Sequence, residues 1–353
     1  MNAINFCARK IARRLDLDTD GDSLARITSY AVKRINNLIE PFDDIETLGH
    51  LLRFTASRLS VDLVFLHSED QIEELSTEYG RGLKLNLQDE LIRGDTEGLL
   101  LHHPRPNKTN HEYLAVVDAC GPNLYRAYYS AWHELSHVVA TPHLLENGVQ
   151  RTSPRQQRRD EPVERIVDHV ASRLAFYRPI FQPILREEIQ HEQTLNFEVI
   201  RRAAREAAGE VDECPPPSLY ATAVASIRHT NVPLCFLTVK PGLKKEEAVQ
   251  IQSGQMAIPG MEAPKPEPKP RVEVLRKNEA AESTFDIYPN MRVPEDSVLY
   301  QACENDVLPD DLFTEENQND WDTSSGGPLP HLPLTVHATR RGNRAYGLLT
   351  AGG

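Results

Sequence analysis

The sequence predicts an α+β protein of two domains: a mostly helical first domain with a small sheet, then a smaller α/β domain. Three observations predict this. Apolar residues recur at helical spacing in long runs through the first two-thirds of the chain, and only a few short strand-like runs interrupt them. A proline-spaced, charged stretch at 259–270, PGMEAPKPEPKP, reads as an extended linker or exposed loop. Beyond it come several short strand-like runs. At 353 residues the chain is long enough for two cores. We expect a catalytic domain over 1–190, a helical connecting segment over 191–258, and a small α/β sensor-like domain with an acidic loop over 259–353.

The elements follow in order. The N-terminus places Ile4, Ala8, Ile11 and Leu15 on one side of an amphipathic helix and lacks the apolar core of a signal peptide. The run 16–22, rich in Asp, matches the opening of a calcium-binding loop. Ile27 stands where the closing bidentate Glu belongs, so it reads as an acidic turn. A helix over 51–59 and strands over 61–66, 98–102 and 113–118 lead to a strongly apolar helix over 125–140. Pro122 precedes that helix, and Thr141 with Pro142 ends it. A further helix opens near Glu164, and two more occupy 198–208 and 218–228, separated by the break Cys214 to Pro217. Strand-like runs lie at 233–239, 272–275, 284–288, 334–337 and 345–350. The stretch 294–323 holds many acids and no Lys or Arg, and reads as a solvated acidic loop.

Composition narrows the function classes. A net charge of -13 is untypical of a dedicated nucleic-acid binder. Five widely spaced cysteines argue against a disulfide framework and for a reducing cytoplasm. No run approaches transmembrane length, so no membrane partner is expected.

The chemistry is concentrated in His133, Glu134, Leu135, Ser136 and His137. On a helix, residues four apart share a face, so His133 and His137 offer two imidazoles to one metal ion. Glu134, beside the first, is placed to take a proton from an attacking water. This is the HExxH signature of the zincins, and it implies Zn2+. Two histidines and a glutamate on a buried helix would be costly to bury unpaired, and a metal removes that cost. A third ligand is needed. Glu161, Glu164 and Asp168 lie at suitable distances along the chain, and spacing alone leaves their ranking open. Asp168 also suits an outer role, as an acceptor orienting a ligand imidazole.

The two motifs together resemble the ImmA/IrrE family of metallopeptidases. After HELSH and a gap of under thirty residues, the chain reads Glu164, Asp168, Ala171, Leu174 and a proline. That is similar to the family's second motif, E-x-x-A-[ND]-x-F-A-x-x-L-L-x-P, with Val167 at the usual Ala, Val170 at the usual Phe, and Ser136 at the usual Gly of the first motif. The resemblance covers roughly residues 45 to 185 and makes Glu164 the third ligand. It implies a zinc endopeptidase that cuts a helix-turn-helix repressor and so switches on a stress or antiphage operon. In layout the chain is most like the long members, including the IrrE type and those beside CBASS operons, and by family analogy its C-terminal domain is expected to be GAF-like. The alternatives are a non-catalytic DNA- or ligand-responsive regulator that binds its repressor, and a toxin–antitoxin associated peptidase with another substrate. Glu134 discriminates, because a pure binding module has no use for it.

Three further features complete the reading. Cys120, in the turn before the motif helix, is a candidate inhibitory ligand, since a thiolate in the open metal position would hold the enzyme latent. Arg155, Arg158 and Arg159 are candidate contacts for single-stranded DNA as an activator. Tyr128 and Tyr129 are expected to pack in the core, and His102 and His103 to form a solvated pair.

Overall fold

The computed structural model describes residues 3–40, 45–79, 86–93, 96–105, 110–145, 150–152, 161–209, 214–252, 257–258, 261–262, 266–305, 312–321 and 329–352. The fold is α+β, with two main sheets. The chain divides into two compact units, 1–184 with 203–222, and 185–202 with 223–353.

In the first unit three helices surround the motif helix and its partner. Helix α1 (Ala3–Arg14) buries Ala8, Ile11 and Ala12. Helix α2 (Ser23–Ile39) starts at Asp22, whose carboxylate accepts from the N–H groups of Leu24 and Ala25. The acidic run at 16–22 is therefore a turn closed by a helix cap. Helix α2 buries Ile27, Ala31 and Ile35, one residue per turn. Helix α3 (Leu48–Arg58) is capped by the Thr47 hydroxyl. The small sheet has the order β1-β3-β2-β4, from β1 (Val61–Leu66), β2 (Gly98–His102), β3 (Tyr113–Asp118) and β4 (Gln150–Thr152). Strands β1 and β3 run parallel, while β2 is antiparallel to both its neighbours.

Alternation decides which side each strand residue faces. Leu99, Leu101, Leu114 and Val116 join Leu66 in a cluster with Ile72, Leu75 and Tyr79 of helix α4 (Glu69–Tyr79). Gly98, Leu100, Ala115 and Val117 lie at the alternate positions, and helix α5 (Leu124–Ala140) packs on β2 and β3. Helix α6 (Pro162–Leu174) packs along α5, with α1 and α2 against it. The Arg34 guanidinium on α2 donates to the Val138 and Val139 carbonyls at the C-terminal end of α5, where a cation is favoured.

The chain continues as helices α7 (Arg178–Glu192), α8 (Phe197–Ala208) and α9 (Leu219–His229), and the unit boundaries fall within these helices. The second unit is built on an antiparallel sheet of order β8-β5-β11-β10-β9. Its strands are β5 (Leu234–Gly242), β8 (Lys269–Lys277), β9 (Leu312–Asn317), β10 (Pro333–Arg341) and β11 (Arg344–Ala351). Short strands β6 (Ala257–Ile258) and β7 (Met261–Glu262) pair separately, after helix α10 (Lys245–Gln252).

Several expectations change here. The strand near 233–239 is an inner strand of the second sheet, so the C-terminal fold begins well before the proline-rich stretch. Residues 284–288 form no strand, although Phe285 and Ile287 are buried in that unit's core. The acidic stretch 294–323 is not one loop. It contains helix α11 (Val298–Glu304), which buries Val298, Leu299 and Ala302, and edge strand β9. Its apolar residues recur at helical spacing, and the surrounding acids hide that pattern. The five cysteines are all free. No described helix is long and apolar enough to cross a membrane.

Helix α11 seats on β11 at Gly347, where a Cβ would lie 2.7 Å from Leu299 Cδ2 and 3.0 Å from Leu237 Cδ1. Gly347→Val should therefore overpack this contact and destabilise the second unit by about 1–3 kcal/mol. Trp321 is buried in that unit's core and is one of two tryptophans. In a Trp132→Phe background its fluorescence reports urea unfolding of that unit, and an unchanged midpoint would contradict the packing argument.

Candidate metal centre

Three ionisable side chains converge in the core of the first unit. His133 and His137 project from one face of α5, and Glu164 comes from the first turn of α6. Glu164 Oε2 lies 2.9 Å from His133 Nε2, and Oε1 lies 3.5 Å from His137 Nε2. The two Nε2 atoms are 3.2 Å apart. All three residues are buried, with Glu164 the most exposed at 7%. Their ligand atoms lie within 4.8 Å of one another, as a metal-holding group requires.

The local sequence makes this convergence. Pro162 occupies the first turn of α6 and fixes its start, which puts Glu164 on the buried face with Ile166, Val167 and Val170. Two tyrosines tie the helices together: the Tyr128 hydroxyl donates to the Ala175 carbonyl at 2.6 Å, and the Tyr129 hydroxyl donates to the Asp168 carbonyl at 2.8 Å. Their role is thus to set the spacing of α5 and α6. Ser136 folds its hydroxyl back onto the Trp132 carbonyl, keeping the residue between the two histidines small and self-satisfied.

Asp168, one helical turn beyond Glu164, accepts from His133 Nδ1 at 2.9 Å. Burial works against charge on His133, but the bonds to Asp168 and Glu164 outweigh it and push the imidazole up to about 10. Burial also opposes charge on Glu164, yet its close contacts with the His133 and His137 rings hold its carboxyl well below the usual carboxylate range. Burial pushes His137 below the ordinary histidine value, against the pull of Glu164. Without a metal, the group therefore holds a proton on His133 between two carboxylates.

The donor set fits zinc. It supplies two imidazole nitrogens and one carboxylate oxygen, the ligand types of catalytic zinc sites. Bonds of about 2.0–2.1 Å in a tetrahedron separate the ligand atoms by about 3.3 Å. The observed separations of 2.9, 3.2 and 3.5 Å bracket that value.

Glu134 is buried on the same helix and faces β2. A Cβ on Gly98 would lie 2.8 Å from its Oε1, so the missing side chain makes the space for the carboxylate. Nothing in the sequence marks Gly98, because only the fold brings strand and helix together. Thr141 stands out in the sequence only as the end of a helix, whereas its Oγ1 lies 3.3 Å from His137 Nδ1.

The other candidates lie elsewhere. Glu161 is the exposed N-cap residue of α6 and is not part of the group. Cys120 is also outside the group, which corrects its reading as a fourth ligand: its Sγ donates to the Leu66 carbonyl at 3.3 Å. Burial and Asp118 push that thiol up to about 11, away from the thiolate a metal prefers. Arg155, Arg158 and Arg159 lie outside the described residues. His102 is exposed as expected, but His103 is buried against Tyr79 and Asp62 rather than solvated. Neither the family models nor the curated proteins give a match to this chain.

The His133 shift carries a pH dependence. An ordinary imidazole value of 6.5 raised to about 10 means that the metal-free protein keeps this proton at pH 8. The stabilisation from the protonated pair is full below about pH 6.5 and is lost as pH rises through about 10. Zinc uptake at pH 8 should release about one proton per ion, and affinity should rise with pH toward that upper value. Calorimetry in buffers of differing ionisation enthalpy measures the release, and uptake without proton release would refute the assignment.

Proposed function

We propose that this chain is a zinc-dependent endopeptidase that cleaves a helix-turn-helix repressor, switching on a stress or antiphage operon. The carrying observation is the buried convergence of His133, His137 and Glu164, with Glu134 on the same helix. His133, His137 and Glu164 would hold the zinc, and Asp168 would fix the His133 ring through Nδ1. When bound, zinc supplies a Lewis acid that polarises a peptide carbonyl and makes water nucleophilic near neutral pH. Glu134 accepts a proton from the attacking water and delivers it to the departing amide nitrogen. The scissile C–N bond breaks, leaving a carboxylate and an amine.

Two histidines and one carboxylate also serve iron oxygenases. Glu134 favours hydrolysis, because a residue that relays protons has work to do there and none in oxygen activation. The substrate class rests on the resemblance to the ImmA/IrrE family, as does a zincin-like first unit. The second unit is proposed as a GAF-like sensor. That proposal rests on the family analogy and on its five-stranded antiparallel sheet with α11 packed against it.

Elemental analysis of protein purified without chelator tests the centre. One zinc per chain is expected in wild type and should be lost in Glu164→Ala; absence of stoichiometric zinc, or iron in its place, overturns the proposal. Glu134→Gln should keep the zinc and lose cleavage of co-produced helix-turn-helix repressors, read by mass spectrometry of the fragments. Gly98→Ala should also keep the zinc while displacing the Glu134 carboxylate, lowering kcat about 100-fold, the order of effect general acid–base catalysis supplies. Undiminished turnover in Gly98→Ala would show that the carboxylate acts from elsewhere.

A further inference from the structure

We infer that Thr141 is a positioning residue for the metal centre, fixing the tautomer and ring angle of His137; this rests on the metal-site reading above. Thr141 is fully buried at the C-terminal end of α5. Its backbone N–H donates to the His137 carbonyl at 2.9 Å, and its hydroxyl donates to the same carbonyl at 3.1 Å. The hydroxyl proton is thereby used. What Oγ1 presents to His137 Nδ1, at 3.3 Å, is a lone pair.

A lone pair at that place requires Nδ1 to be the ring nitrogen that carries hydrogen. Nε2, on the Glu164 side, is then left with a free lone pair. In the opposite tautomer, Nε2–H would be spent on Glu164 Oε1 at 3.5 Å or directed at His133 Nε2 at 3.2 Å, two lone pairs would face each other at Nδ1 and Thr141 Oγ1, and the donor set would lose a ligand. Thr141 thus does for His137 what Asp168 does for His133, with a neutral acceptor in place of a carboxylate. His137 is also the ring farther from Glu164, at 3.5 Å against 2.9 Å for His133, so it has more need of an outside constraint.

The backbone reinforces the arrangement. Pro142 disfavours the helical region for the residue before it, and Thr141 leaves the helix with φ -132° and ψ 40°. The β-branched side chain then has few rotamers with which to place its hydroxyl. Serine would supply the same oxygen with more freedom, and valine the same shape without it.

The test uses the full-length chain and zinc alone, with a chromophoric chelator as competitor. Thr141→Val should bind zinc about 10- to 100-fold more weakly than wild type, and Thr141→Ser should recover most of the loss. A Thr141→Val protein that matches wild type overturns the inference while leaving the metal centre standing. A wild-type chain that takes up no zinc overturns the centre itself, and the inference with it. Nitrogen-15 NMR of the metal-free wild-type protein gives a check independent of any variant's folding. His137 should show the Nδ1–H tautomer, and the Nε2–H tautomer would overturn the assignment.

Discussion

The first unit depends on solving one problem, the burial of two histidines and a glutamate between two packed helices. Isolated charges in such a place cost more than a small domain can offset, so each group must be met by another. Glu164 meets both rings, and Asp168 holds the far side of one of them. The rest of the unit keeps the two helices at the required separation. Tyr128 and Tyr129 bridge them through backbone carbonyls, α1 and α2 pack on α6, and Arg34 satisfies the end of α5.

The two ligand rings are held unequally. His133 sits between two carboxylates that favour its proton, whereas His137 faces the Thr141 hydroxyl and, at longer range, Glu164, and burial pushes it below the ordinary histidine value. A divalent ion held by this group would replace that proton, and the donor atoms already lie near the separations it would need. Glu134 stands apart from this set, on the same helix but turned to β2, where Gly98 leaves room for it. The proposed metal holding and proton transfer would thus fall to different residues with different supports.

The second unit has a separate core on the far part of the chain. Strands β5, β8, β10 and β11 bury Leu237, Val272, Val336 and Leu349 against α11 and Trp321. Its acids lie around that core without preventing it: Leu299 and Ala302 are fully buried in a stretch that carries no basic residue.

The sequence by itself determined what local spacing can determine. The i, i+4 histidines, the bracketing prolines and the apolar periodicity specify α5 and the face its two histidines share without knowledge of the fold. Strands β1, β2 and β3 were legible for the same reason, as short apolar runs. The resemblance in the second motif singled out Glu164, but spacing could not separate it from Glu161 and Asp168. Only helix packing did so, by exposing Glu161, burying Glu164 at both Nε2 atoms and setting Asp168 behind His133. Tertiary structure alone also decided Gly98, Cys120 and the place of β5, because each depends on which distant segment lies opposite. Hydrogen bonds and van der Waals contacts act over a few ångströms in space, and a linear spacing records that proximity only within one helix or one strand.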